Sequence, residues 1–173
     1  IGVVHQERYW CAFSSGSCNL FLGQDITSSG FLKCRARQQK ALDFMRQYNL
    51  DLDIDTPVTN LGSGMQEMIT ILKVLFRSPK IVIFDEPTAP LSIKETDVLL
   101  RLIKDLKSKG TSIIYINHSL PEVFQLAARV SVLRNGEKVV TANVTDLAKQ
   151  DLIRFMLAKD INQQYSKAIL LQG

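Results

Sequence analysis

The run Ile81-Val82-Ile83-Phe84-Asp85-Glu86-Pro87-Thr88 decides how this chain folds. Four large apolar residues in succession cannot alternate between core and water. They suit a parallel strand covered on both faces by helices. Upstream, Met68, Ile71, Leu72 and Leu75 fall on one face of a helix that begins after Gly64. Before it lies a polar loop, Asp51 to Thr59, holding Pro57, and before that a helix over 35–48 marked by Ala41, Leu42 and Met45. Residues 7–35 read as irregular, and residues 1–5 as a short buried strand. Downstream, Leu99, Leu102, Ile103 and Leu106 mark an amphipathic helix over 93–106. Ser112–Ile116 reads as a second buried strand and residues 120–127 as a short helix. Val130–Leu133 and Glu137–Val140 flank Asn135-Gly136, a hairpin signal because both turn positions need positive φ. Residues 145–159 read as helical. Strands alternating with helices give an α/β sheet with helices packed on it, and the helical stretch 35–76 reads as an insert on that sheet.

The composition bounds the function. The chain has 173 residues, 46% of them apolar and 22% charged, a globular balance of about one domain. The net charge of +4 comes from 21 Lys and Arg against 17 Asp and Glu, without the dense basic runs of a nucleic-acid-binding arm. Three cysteines, Cys11, Cys18 and Cys34, have neither an even count nor metal-ligand spacing, which points away from a disulfide framework or a zinc site and toward a reducing compartment. No apolar run approaches the roughly 18 residues of a membrane span. Ile1-Gly2-Val3-Val4 reads like the middle of a strand, as in a chain cut from a longer one.

The chemistry concentrates where the strand of Ile81–Phe84 ends. Ligands of open α/β sheets bind at the carboxyl ends of strands. Asp85 there is suited to a Mg²⁺ held by nucleotide phosphates, because a hard cation takes oxygen ligands. Glu86, one residue on, points elsewhere and can polarise an attacking water. The alternative is an acidic pair that ends a strand before a proline turn. Gly62-Ser63-Gly64 can likewise be only a turn with Ser63 as N-cap. Gln6 on its own is a polar residue after a strand, and His118 on its own a capping or packed histidine.

Taken together, these pieces resemble an ABC-type transport ATPase. Ile81–Thr88 resembles the Walker B strand followed by the catalytic glutamate, and Val3-Val4-His5-Gln6-Glu7 the Q-loop. Leu61-Gly62-Ser63-Gly64-Met65-Gln66 stands where the signature belongs, Ala89-Pro90-Leu91-Ser92 where the D-loop belongs, and Tyr115-Ile116-Asn117-His118 resembles the H-switch. Val4-His5-Gln6-Glu7, Asn19–Gly23, Asp55–Val58 and Leu152–Met156 are similar to the first nucleotide-binding domain of the tandem ATPases of monosaccharide importers, the ribose, galactose and arabinose kind. The resemblance implies a partial P-loop NTPase fold of the ABC ATPase type: a helical subdomain and signature region over about 8–76, a Walker B, D-loop and H-switch core over 77–145, and a C-terminal helix with the start of a linker over 146–173. It implies ATP and Mg²⁺ as cofactors. Asp85 and Gln6 would hold the metal, with Glu86 as general base and Gln6 and His118 aligning water against the γ-phosphate. Ser63, Gly64 and Gln66 would bind ATP held by an opposite domain, since a helix start offers free N–H groups and a favourable dipole. The implied partners are a second nucleotide-binding domain and transmembrane permease subunits, with no nucleic acid, at the cytoplasmic face of the membrane.

The chain departs from the family pattern in three ways. The phosphate-binding G-x-x-x-x-G-K-[ST] loop is not in the sequence, which contains no Gly-Lys pair, so it is expected before Ile1. In the signature, Gly62 takes the serine position, Ser63 the third place and Met65 the final glutamine position; moving the hydroxyl by one residue turns it roughly 100° on a helix. Cys18 stands where the sugar branch usually carries Glu. These departures favour a second expectation, a catalytically silent remnant that serves as an interaction module. A soluble ABC protein of repair or translation fits the sugar-branch features poorly, and an unrelated Mg²⁺ hydrolase would need more carboxylates at strand ends.

Overall fold

The computed structural model describes residues 1–5, 10–23, 27–28, 31–32, 34–48, 50 and 53–157. In chain order the elements are β1 (Gly2–Val4), α1 (Gly16–Leu20), β2 (Thr27–Ser28), β3 (Phe31–Leu32), α2 (Cys34–Tyr48), α3 (Ser63–Leu75), β4 (Ile81–Asp85), α4 (Ile93–Ser108), β5 (Ser112–Ile116), α5 (Leu120–Leu126), β6 (Arg129–Arg134), β7 (Glu137–Asn143) and α6 (Lys149–Leu157). The chain divides into two compact units at the His118–Ser119 bond.

In the first unit, β1, β4 and β5 form a parallel sheet with β4 in the centre. The apolar run is central because it can pair on both sides: Val82 opposes Gly2 and Ile113, and Phe84 opposes Val4 and Tyr115. Val82 and Phe84 are fully buried, as are Val4 of β1, Met68, Ile71 and Leu72 of α3, and Leu99, Leu102 and Ile103 of α4. Burying a side chain of this size is worth about 1.5–3 kcal/mol, so this row of residues holds the unit together. Ser92 caps α4 and closes a capping box with Glu95, which satisfies two N–H groups that have no partner inside the helix. The helix ends in a Schellman motif, with Thr111 N donating to Leu106 O and Gly110 N to Lys107 O, both at 3.0 Å.

Two expectations are corrected here. Residues 7–35 are not wholly irregular. Ser15 caps α1 by accepting from Cys18 N at 3.3 Å. The fully buried Asn19 side chain binds the Cys11 amide at 2.7 Å and the carbonyls of Cys11, Ser14 and Ser15 at 3.0–3.2 Å. A two-residue antiparallel pair, β2 with β3, comes next. Second, β5 is not buried on both faces: Ile114 is 50% and Ile116 48% exposed. Composition reports what a strand can bury, whereas burial needs a layer on each face, and α4 supplies one.

At the far end of the helical region, the Tyr48 hydroxyl of α2 donates to the Asp105 carboxylate of α4, and Lys109 reaches the same carboxylate at 2.7 Å. Burial and the bond to Asp105 raise the Tyr48 pKa. The bonds from Lys109 and Tyr48 lower that of Asp105, and the bond to Asp105 raises that of Lys109.

In the second unit, β6 and β7 form the expected hairpin. Asn135 and Gly136 both take positive φ, 51° and 81°. Val132, Leu152 and Phe155 make its core, with Val123, Phe124 and Val140 packed against them. The expected helix over 145–159 is a 3₁₀ turn at Val144–Asp146 followed by α6; residues 158 and 159 lie outside the described residues.

Candidate functional site

Asp85 and Ile116 are register partners at the carboxyl ends of β4 and β5, so the segments that leave the two strands emerge side by side. Asp85 is half-buried in extended backbone. Glu86 then turns into the left-handed region, φ 46°, while its N–H still donates to Ile116 O at 2.9 Å. That turn separates the two acids: one stays on the strand end, and the other swings toward the neighbouring chain segment. Glu86 Oε1 lies 3.2 Å from His118 Nδ1. The His118 side chain is 73% exposed and that of Glu86 34%. An exposed contact of this kind contributes little to stability, so its interest is chemical. A carboxylate within hydrogen-bond reach of an imidazole, open to solvent at a strand end, can take a proton from water.

The segment between Glu86 and α4 is a tight double turn. Ala89 N donates to Glu86 O at 3.3 Å and Leu91 N to Thr88 O at 3.0 Å, and Ser92 then starts the helix. Asn117 Nδ2 donates to Thr88 Oγ1 at 3.1 Å and to the Tyr115 hydroxyl at 3.2 Å. The structure thus brings together Asp85, Glu86 and His118, and adds Asn117, Thr88 and Tyr115, for which the sequence alone suggested no role.

The residues expected to form the signature, Ser63, Gly64 and Gln66, sit at the start of α3. Gly62, not Ser63, is the N-cap, and no side chain bonds there; Ser63 is the first helical residue and exposed. Gly64 is buried against the Glu95 carboxylate, the same group that closes the α4 capping box, so a side chain at Gly64 would collide with it. Glu95 had a legible signal, the Ser92-x-x-Glu95 spacing of a capping box; its second contact had none. Gln66 turns inward, donating through Nε2 to the carbonyls of Val58 and Leu61 at 3.0 Å each. Gln6 lies outside the described residues.

The donor set bears on a metal. Among the described residues no group of three or more His, Cys, Asp or Glu could hold an ion. Asp85 offers one carboxylate, a hard oxygen donor of the kind Mg²⁺ takes beside nucleotide phosphates, where few protein ligands are needed. No described helix is long and apolar enough to cross a membrane.

The pattern of one family, described as ABC transporter, matches residues 1–89. A xylose import ATP-binding protein, XylG of Photobacterium profundum, is 35% identical over 167 residues, covering 96% of this chain and 33% of its own length. A ribose import ATP-binding protein of Rubrobacter xylanophilus is 37% identical over 96% of this chain and 34% of its own length. The galactofuranose transporter ATP-binding protein YtfR of Escherichia coli is 32% identical over 94% of this chain and 32% of its own length. The chain spans about a third of the length of these relatives. Among solved structures, a dimeric post-hydrolysis state of the ATP-binding cassette MJ0796 bound to ADP and Pi superposes with a TM-score of 0.72 at 21% identity, over 83% of this chain and 62% of that one. An inward-facing putative metal-chelate type ABC transporter gives 0.73 at 20% identity, over 91% and 63%. At such identities the likeness establishes the fold alone.

Proposed function

This chain belongs to the ABC transporter family, its fold is the α/β P-loop NTPase type in part, and we propose that it carries the water-activating half of an ATP-hydrolysing subunit that energises sugar import. The observation that carries the reading is the Glu86–His118 pair at the ends of two adjacent parallel strands. Glu86 is the general base: its carboxylate accepts the proton of an attacking water. His118, bonded to it, orients that carboxylate and faces the same open side. Asp85 would hold Mg²⁺ through water, and the charge of the ion would offset that of the phosphates. Gln6 is a further contact to the metal or the water. Ser63 and Gly64 meet the γ-phosphate of ATP held by a second nucleotide-binding domain, with Gln66 holding the loop before that helix in register. The sugar-import reading is supported by relatives named for import of xylose and ribose. In this reading the partners are a second nucleotide-binding domain and transmembrane permease subunits, and the chain sits at the cytoplasmic face of the membrane, with the helical region 8–76 toward the permease and 77–145 as the hydrolytic core.

A second reading, a catalytically silent ABC module that only binds partners, is favoured by Gly62 at the signature serine position and by the inward-turned Gln66. One assay separates the two: phosphate release from Mg-ATP by the protein as its gene encodes it. Glu86→Gln and His118→Ala should each lower the rate by roughly 10²–10⁴-fold, the range of general base catalysis. The double variant should be little worse than either alone, because the two act as a unit. Independent, multiplying losses would sink the pair. A wild-type protein that releases no phosphate would favour the silent module.

A further inference from the structure

We propose that Asn117 is a positioning residue that fixes the His118 imidazole against the Glu86 carboxylate by tying the segment after β4 to the segment after β5. The inference rests on the reading of Glu86 and His118 as the reactive pair. With its side chain 73% exposed, His118 cannot be held by packing. What limits its position is its backbone, and two cross-links brace that backbone. On one side, Glu86 N donates to Ile116 O at 2.9 Å. On the other, the Asn117 amide donates to Thr88 Oγ1 at 3.1 Å and to the Tyr115 hydroxyl at 3.2 Å. The brace thus joins the residue before His118 to the residue two after Glu86. Tyr115 is anchored in turn, its ring 6.2 Å from that of the fully buried Phe84. An amide suits this position because its NH₂ group can donate to two acceptors at once. Removing the brace leaves both reactive groups present but frees the angle between the two segments, and misplacement by about 1 Å can cost 10²-fold in rate.

The test needs no nucleotide, so its failure is separate from failure of the hydrolysis reading. The chain holds two histidines, His5 and His118, and His5 is exposed, which makes it an internal reference. Long-range ¹H–¹⁵N spectra of the histidine-labelled full chain report each imidazole at fixed neutral pH. In the wild-type background, Glu86→Gln should displace the His118 signals and leave those of His5 in place. In the Asn117→Ala and Thr88→Val backgrounds that displacement should be lost, and the His118 signals should move toward those of His5. Thr88→Ser, which keeps the hydroxyl, should preserve it. Thr88→Val is isosteric, so it decides the question even if Asn117→Ala does not fold. An undiminished displacement in Thr88→Val, or no displacement in the wild-type background, overturns the proposal.

Discussion

Glu86 holds a backbone angle that L-residues with long side chains rarely adopt, φ 46°. Such a conformation stores roughly 1–3 kcal/mol of strain, which the surrounding bonds to Ile116 and Ala89 hold in place. It is from this turned backbone that the carboxylate meets His118 Nδ1 at 3.2 Å. Glu86→Gly should therefore leave the urea midpoint unchanged or raise it, even though a glycine in the unfolded chain normally costs about 0.5–1 kcal/mol. A clear drop in the midpoint would show that the angle is unstrained. The two acids and the histidine could be singled out in the sequence because they stand at strand ends within an ordered set of motifs, although each alone also has a purely structural reading. The Asn117 bridge could not be. Its partners are two residues beyond Glu86 and at the end of β5, and nothing in the spacing of Thr88, Tyr115 and Asn117 says that three polar groups converge. Gln66 and Gly64 were singled out by resemblance alone; the inward turn of the one amide and the Glu95 carboxylate against the other come from how the starts of α3 and α4 are built.

The elements divide by the same logic. Apolar periods gave away α2, α3 and α4, and Asn135-Gly136 gave away the β6–β7 hairpin, because local patterning specifies them; the Ser63 cap expected for α3 does not form. The short α1 escaped because its stabilising bonds come from one buried asparagine, Asn19, to the loop before it, and five residues carry no period. The two-sided burial expected of β5 failed because it depends on a neighbouring layer, not on Ile114 and Ile116 themselves. Between elements, Tyr48 of α2 and Asp105 of α4 make a pH-dependent contact. Asp105 has a lowered pKa, so its stabilising share is present above the ordinary carboxylate range and lost as pH falls through its lowered value. Tyr48 has a raised pKa, so its share is present below about pH 10 and is lost as pH rises through its raised value. Lys109, also raised, behaves like Tyr48 at the alkaline end. Tyr48→Phe should thus lower the urea midpoint most at neutral pH, with the difference from wild type shrinking in strong acid and above about pH 10. A difference constant across pH would show that the hydroxyl–carboxylate bond adds nothing to stability.

At the scale of the whole molecule, one unit carries the parallel sheet with Asp85, Glu86 and His118, and the other carries a hairpin and α6 with their own small core. Membership of the ABC transporter family was readable from the order of the motifs along the chain, which no single motif could supply. Gly62 at the expected signature-serine position and the lack of a Gly-Lys pair in these 173 residues depart from the family pattern, not from its order. Under the proposed function, Glu86 activates the attacking water. The most direct measurement is the fate of bound ATP: load the gene-encoded protein with labelled Mg-ATP, remove the excess, and follow the ratio of ATP to ADP on the protein with time. The wild type should convert its bound ATP, while Glu86→Gln should retain it unhydrolysed at least about 100-fold longer, the lower end of general base catalysis. Conversion by Glu86→Gln at the wild-type rate would contradict the claim.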